Sequence, residues 1–329
     1  MESPFRLIDI DRSAPPPPVH DQVFVGVADR PRDVTGDFDV LLTAEPDARR
    51  PWVSCADPHA AARHIRDTVA RQPAASVALV QVLRMGRALP PSDRLLVESL
   101  AYSALQGGAG FRDWLAVARP GTPRPTVEPV RLRRDGDRLT VVLERPWVRN
   151  AFDAATRDAL CEALEVAVAD PSITRVDLCG AGPAFCSGGD LTEFGSSRDT
   201  AEAHLVRVRR SPAGLLLRCG RKVTARLHGA CVGAGIELAA FAGRVAATPD
   251  TAIRLPEIGM GLIPGAGGTV SLPARIGRER TAYLALSGGV LTAAEALRWG
   301  LVDEITQTPP EPAPRTPTAM GVTERRSRI

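Results

Sequence analysis

The chain has 329 residues, with 41 Lys or Arg against 38 Asp or Glu and a net charge of +3. So weak a positive balance argues against a nucleic-acid partner held by charge. Hydrophobic residues make up 44% of the chain, enough for a sizeable core in one large or two ordinary domains.

Aromatics supply only 4%, so Val, Leu, Ile and Ala must fill that core. Lys222 is the single lysine, and Arg carries the positive charge. The six cysteines form no Cys-x-x-Cys pair, and with the five histidines they give no zinc spacing. Several sit in apolar runs, as reduced core residues do, which points to a cytoplasmic location. No apolar run is long enough to span a membrane. The N-terminus carries acidic residues and prolines where a signal peptide needs an apolar centre.

Residues 1–20 include Pro15 to Pro18 and read as a flexible or polyproline arm. Residues 21–119 read as an α+β segment. Val23–Val27 and Phe38–Thr43 are strand candidates. Asp57 is placed to cap a helix with Pro58 in its first turn, running to Arg71. Ala61, Ile65 and Val69 recur on one face of that helix. Periodicity leaves Ala75–Arg84 open between a helix and a buried strand. Ser92–Ala104 reads as a helix with Leu95, Leu96, Ser99, Leu100 and Ser103 on one side. Phe111–Ala118 adds a short amphipathic turn. Residues 120–129 are rich in proline and read as a linker.

A second domain, residues 130–305, opens as a hairpin around Asp135-Gly136. Asp153 is placed to cap a helix to Ala169, with Leu160, Leu164 and Val168 on its face, and Pro171 stops it. Strands, loops and helices then alternate to Ile305, which implies an α/β fold with largely parallel strands. Arg207, Arg209 and Arg210 cluster within this domain and read as a solvated helix face. Residues 306–329, rich in Pro, Thr and Arg, read as a disordered tail.

Two glycine-rich loops carry the chemistry. The first, Gly180 to Asp190, follows the apolar run Val176–Cys179. The second, Gly229 to Gly235, follows Val223–Leu227 and turns into a helix at Ile236. Glycines let backbone N–H groups approach a ligand closely, and unpaired N–H groups at a helix start favour negative charge. Glu237 lies in that first turn and Glu257 follows Pro256, so two carboxylates accompany the amides. Taken singly, Glu237 reads equally as an acid suited to a helix start, and Glu257 as a surface carboxylate. Other glycine-loop readings fail on detail. Neither loop has Gly-Lys-Ser/Thr, Gly259-Met-Gly261 runs into Pro264, and Ser187 lacks a Gly-x-Ser-x-Gly elbow.

The stretches AFCSGGDL (Ala184–Leu191), HGACVGAGIELA (His228–Ala239) and LPEIGMGLIPGAGGT (Leu255–Thr269) resemble the signatures of the crotonase (enoyl-CoA hydratase/isomerase) superfamily. LERPWVRNAF (Leu143–Phe152) resembles its first acyl-CoA-contacting loop, and the resemblance runs from about Val130 to Ile305. It implies a crotonase-like spiral of ββα units, with the N-terminal α+β segment as an addition. The amides of Gly189 and Ala234 would form an oxyanion hole, Glu237 would activate water, and Glu257 would protonate the α-carbon. Val148, Arg149, Ser187 and Leu191 match substrate-binding positions. Asp190 matches a loop-ordering residue, and His228 reads as a packed strand-end residue.

The reaction implied by these roles is the addition of water to a 2-enoyl-CoA, or its removal, through an enolate. Double-bond isomerisation and a non-catalytic acyl-CoA-binding subunit are the alternatives. The resemblance implies no metal and no cofactor beyond the coenzyme A of the substrate. It also implies a homo-oligomer, a trimer or hexamer, with no nucleic-acid or membrane partner. Typical members continue past the position of Ile305 with helices that cover the acyl pocket. Ala78–Arg84 and Glu98–Pro120 resemble that helical tail, in a permuted order. The segment from Asp57 to Ala118 is therefore expected to dock on the core and help close the site.

Overall fold

The computed structural model describes residues 3–13, 19–34, 37–118, 128–197 and 199–307. The expectations for the Pro15 to Pro18 run, for most of the linker and for the tail beyond residue 307 fall outside the described residues.

Four short strands open the chain: β1 (Phe5–Asp9), β2 (Val23–Val27), β3 (Val40–Thr43) and β4 (Val53–Ser54). They form a parallel sheet in sequential order. The arm expected over residues 1–20 thus contains a strand, because β1 pairs residue for residue with β2, Phe5 opposite Val23. All five residues of β2 are buried, as a strand covered on both faces should be.

Four helices follow: α1 (Pro58–Arg71), α2 (Pro73–Met85), α3 (Pro91–Gln106) and α4 (Ala109–Val117). Asp57 caps α1 by accepting the Ala60 amide at 2.8 Å, and Ile65 and Val69 are fully buried. Ala75–Arg84 resolves as helix, within α2, whose buried side includes Leu79, Val80 and Leu83. The buried face of α3 is only partly the expected one, keeping Ser99 and Ser103 but not Leu96 and Leu100. Leu96 and Leu100 are exposed, whereas Glu98, Ser99, Ser103 and Leu105 are buried. This helix turns polar groups inward because they have partners there.

The second half opens with a hairpin of β5 (Val130–Asp135) and β6 (Arg138–Leu143), turned at Gly136 with φ +58°. Then come α5 (Ala154–Ala169), β7 (Arg175–Gly180), α6 (Thr200–Arg209), α7 (Pro212–Cys219) and β8 (Val223–Leu227). Asp153 caps α5 through the Thr156 amide at 2.7 Å. The rest comprises β9 (Ala230–Val232), α8 (Ala234–Ala239), β10 (Arg244–Ala247), β11 (Ala252–Arg254), α9 (Gly268–Ile276), α10 (Arg278–Ser287), β12 (Leu291–Thr292), α11 (Ala293–Trp299) and β13 (Glu304–Ile305).

A six-stranded sheet runs β13-β10-β8-β7-β6-β5 and is parallel except at the β5–β6 hairpin. A small sheet runs β12-β11-β9. Strand β8 in the large sheet leads to β9 in the small one and then to a helix. Strand β10 leads likewise to β11 and a 3₁₀ turn at Glu257–Met260. This is the ββα progression expected, and it repeats the same exit from sheet to site.

The N-terminal helices pack on this half of the chain. Helices α1 and α2 lie against α10, and α3 against α6, α7 and α9. The buried Arg280 guanidinium on α10 donates to the carbonyls of Trp52 and Ala48 at 3.0 and 2.6 Å. Arg94 on α3 donates to the Thr269 carbonyl at 2.9 Å.

Candidate active site

Two backbone crossings bring the glycine loops together. Cys186 donates to the Ala230 carbonyl at 3.1 Å and accepts from the Val232 amide at 3.0 Å, a parallel bridge between Cys186 and Cys231. Gly189 and Ala234 each stand three residues beyond a bridged cysteine, so the loops carry their amides forward side by side. Among the described residues, neither amide enters a backbone hydrogen bond outside the helices, and Ala234, as the first residue of α8, has no partner within it.

The parallel pairing of β9 with β11 sets Val232 opposite Arg254, and the Gly233 amide extends it to the Arg254 carbonyl at 3.0 Å. Three residues further, Glu257 opens its 3₁₀ turn beside the start of α8. Gly233 has φ +49°, and a Cβ there would lie 2.4 Å from Glu257 Oε1. Only glycine permits both the turn and the approach.

Glu237 is buried in α8. Its Oε2 accepts the amides of Ala266 at 2.7 Å and Gly268 at 2.9 Å. A Cβ on Gly268 would lie 2.6 Å from Glu237 Cγ. Glu257 Oε2 is buried and has no hydrogen-bond partner among the described residues.

Burial drives both carboxyls up. Glu257 is pushed to about 8, chiefly by loss of solvent, with the charge of Glu98 adding to it. Glu237 is raised well above the usual carboxylate range by burial, then by the charges of Glu257 and Glu98, against the pull of its two amides. Such a neighbourhood disfavours ionising every member at once, which splits acid from base.

Two residues that sequence reasoning missed complete the cluster. Glu98, on α3, accepts the Gly267 amide at 2.7 Å, the Thr269 amide at 2.8 Å and the Thr269 hydroxyl at 2.6 Å. Burial raises it to about 7 against those donors. Tyr102 lies one turn on, its ring so close to Gly265 that a Cβ there would meet it at 2.4 Å. The available signal was an acid placed three residues after Leu95 and four before Tyr102, on one side of an otherwise apolar helix.

Gly189, Ala234, Glu237, Glu257, Glu98 and Tyr102 line one cavity of about 570 Å³. A larger hollow of about 830 Å³, beside Arg32, Arg87 and Arg278, contains neither glutamate of the pair. The four expected substrate-binding residues do not line the smaller cavity. Three of them are joined to one another: the Ser187 amide donates to the Arg149 carbonyl at 2.9 Å, and its hydroxyl to that of Val148 at 3.3 Å. Arg149 is exposed with φ +52°, and Leu191 is exposed just after Asp190.

Asp190 orders its loop by accepting the amide and hydroxyl of Thr192 and pairing with Arg145 at 3.1 Å. His228 Nε2 meets the Gly182 carbonyl at 2.9 Å, away from the cavity. The arginine cluster divides. Arg209 and Arg210 are exposed, Arg210 at the cavity lining, whereas Arg207 is half-buried, turns to α3 and lines the cavity as well. A solvated face is therefore the wrong description of Arg207, because α3 supplies acceptors beneath it.

The fold thus brings two amides and two glutamates to one cavity beside a spiral of ββα units, and known proteins resemble the chain over this half. The family model described as enoyl-CoA hydratase/isomerase matches residues 138–310. The 2,3-dehydroadipyl-CoA hydratase of Escherichia coli is 35% identical over 167 residues, covering 51% of this chain and 65% of that protein. The mevalonyl-coenzyme A hydratase of Beauveria bassiana is 34% identical over 175 residues, covering 51% and 62%. An enoyl-CoA hydratase structure from Thermoplasma volcanium superimposes with a TM-score of 0.50 at 34% identity, covering 55% of this chain and 73% of that one. The chain belongs to the enoyl-CoA hydratase/isomerase family. It spans less than two thirds of the length of these curated relatives, and strands β1–β4 and helices α1–α4 lie outside the matched region.

Proposed function

We propose that the protein hydrates a 2-enoyl-CoA, or dehydrates the corresponding 3-hydroxyacyl-CoA. The observation that carries this reading is the convergence of Glu237 and Glu257 with the amides of Gly189 and Ala234 on one cavity. Water attacks the β-carbon, giving up a proton to Glu237, which is the ionised member of the pair in this step, held so by its two backbone amides against the upward push of burial. The electron pair of the double bond moves toward the thioester, and the charge on its oxygen is met by the two amides. Collapse of the enolate draws a proton from Glu257 to the α-carbon. A carboxyl raised to about 8 is still protonated near neutrality and can serve as that acid. The step needs no group beyond the coenzyme A that the substrate brings.

Val148, Arg149, Ser187 and Leu191, in the two loops that flank the cavity-lining Gly189 and Asp190 or are bonded to them, are proposed to contact the coenzyme. A homo-oligomer in the cytoplasm belongs to the same reading, and sedimentation of the purified chain tests the assembly.

Loss of conjugated-enoyl absorbance on mixing a 2-enoyl-CoA with the protein is the direct assay. Ala234→Pro should abolish it by about a hundred-fold or more, since proline has no N–H to donate yet suits the first position of a helix. Full activity in that variant rejects the oxyanion assignment. Migration of the double bond without hydration would favour the isomerase, and binding without either reaction a non-catalytic acyl-CoA subunit.

A further inference from the structure

The cavity holds a cation with no anion to meet it. Arg207 comes in from α6, and every partner it has is neutral. Its Nε donates to Ser99 Oγ at 3.2 Å, one terminal nitrogen to Gln106 Oε1 at 3.1 Å, and the other to Ser103 Oγ. The guanidinium carbon stands 4.9 Å from the centre of the Tyr102 ring. No ion pair within 4.0 Å involves Arg207 among the described residues. Glu98 is felt only at longer range, and it is engaged with Gly267 and Thr269.

Outside the pair Glu237 and Glu257, the other acids of the cavity are likewise committed. Asp153 and Asp190 both pair with Arg145, and Glu193 accepts the Ala154 amide. Further cations, Arg157, Arg210 and Arg218, line the same cavity.

A guanidinium drawn out of water without a counter-ion is costly. Burial accordingly makes Arg207 easier to deprotonate than a free arginine. Pinning α6 to α3 needs only hydrogen bonds, which a neutral side chain supplies without that cost. Arg207 has five N–H donors, and three are in use, which leaves one on each terminal nitrogen. Two such donors on one guanidinium suit the two oxygens of a carboxylate.

Position decides which carboxylate. The Tyr102 ring lies against the Arg207 guanidinium and against Gly265, and Gly265 adjoins the Ala266 amide that holds Glu237. Arg207 and the proton-transferring pair line the same cavity of about 570 Å³, so the far end of a short acyl chain whose thioester lies at the pair stays in the cavity that Arg207 lines.

We propose that Arg207 anchors a carboxylate at the far end of the acyl group, so that the substrate is the CoA monothioester of a short dicarboxylic acid. The proposal rests on the acyl-CoA reading above and adds the acyl end to it.

Calorimetric binding of glutaryl-CoA and pentanoyl-CoA to the full chain tests it. The two acyl groups have equal carbon counts and differ by a terminal carboxylate in place of a methyl. Wild type should bind glutaryl-CoA at least about tenfold more tightly, Arg207→Gln should erase the preference while holding pentanoyl-CoA within about twofold, and Arg207→Lys should keep part of it. Equal binding of the two by wild type overturns the proposal, whether or not the variants fold. So does a preference that survives in a folded Arg207→Gln, or an equal weakening of both thioesters and of free CoA. That last result would place Arg207 on the coenzyme phosphates. Turnover of glutaconyl-CoA against pent-2-enoyl-CoA separates the two readings. A binding preference without turnover of either sinks the hydratase reading alone, and turnover of both without preference sinks the carboxylate anchor alone.

Discussion

Four consecutive amides, Ala266 to Thr269, are divided between two carboxylates. Glu237 takes the first and third, and Glu98 the second and fourth. The loop is thus clasped from both sides, and one clasp belongs to a helix outside the family-matched region. Glu98 touches no reacting atom in this scheme and acts as a positioning residue for Glu237. It also raises the carboxyls of Glu237 and Glu257, since its charge opposes theirs. Glu98→Gln removes that charge and turns an amide N–H toward the backbone donors. The kcat should fall about tenfold or more with KM within about twofold, and both limbs of the pH–rate profile should move to lower pH. Glu98→Asp keeps the charge, so its limbs should stay in place even if its rate falls. A rate loss in Glu98→Gln with an unmoved profile would leave Glu98 a purely structural residue.

At the scale of elements, α3 is the piece that ties the N-terminal segment to the chemistry, and it does so through polar groups. The sequence made the cavity-lining glycine loops legible because their glycines, Glu237 and Glu257 are fixed by backbone needs that short motifs record. Gly233 must have a positive φ and leave room for Glu257, and such a demand shows in the letters. The inward face of α3 was illegible for the opposite reason. Leu100 is a good core residue by type, yet it is 56% exposed, while Glu98 is 2% exposed. Burial of Glu98 depends on three donors supplied from residues 267 and 269, which no local pattern in α3 announces. Arg207 misled in the same way, its acceptors lying about a hundred residues upstream. The contact of Tyr102 with Gly265 offers a direct test of the α3 interface. Gly265→Ala introduces a Cβ 2.4 Å from the Tyr102 ring, and overpacking of this kind typically costs about 1–3 kcal/mol. Its Tm should drop, and Tyr102→Leu in the same chain should restore part of the loss. Additive losses in the double variant, read by thermal melting, would mean that the two residues do not press on each other.

For the whole molecule, the buried carboxylates make stability a function of pH, and they come from both halves of the chain. The ties at Arg280, Arg94 and His64, whose Nε2 meets the Ser287 carbonyl at 3.0 Å, should make the halves unfold in one transition. The site should then register in the melting of the entire protein. Glu98 at about 7 and Glu257 at about 8 both stand above the unfolded value of 4.5, and Glu237 is displaced in the same direction. Between those limits the folded chain holds protons that the unfolded chain has released. Stability from these groups is full below about pH 4.5 and drains away as pH rises through 7 and 8. The opposite contribution comes from groups such as Asp177, which Arg138 and Arg226 hold below its usual range against the upward push of burial. That term is lost only when pH falls toward 4 and below. A decline in Tm from about pH 5.5 to 8.5 is therefore expected, steepest in its lower half, where these carboxyls keep their protons only in the folded chain. Glu257→Gln removes one ionisation without removing the side chain, and Glu257 Oε2 has no partner to lose. The variant should melt at least about 2 °C above wild type at pH 8.5 and close to it at pH 5, although its turnover is the poorer by about a hundred-fold. Scanning calorimetry at the two pH values checks both statements. A wild type and Glu257→Gln that melt together at pH 8.5 would mean that Glu257 is ionised in the folded protein at no cost, and it would then be no acid for the α-carbon near neutrality.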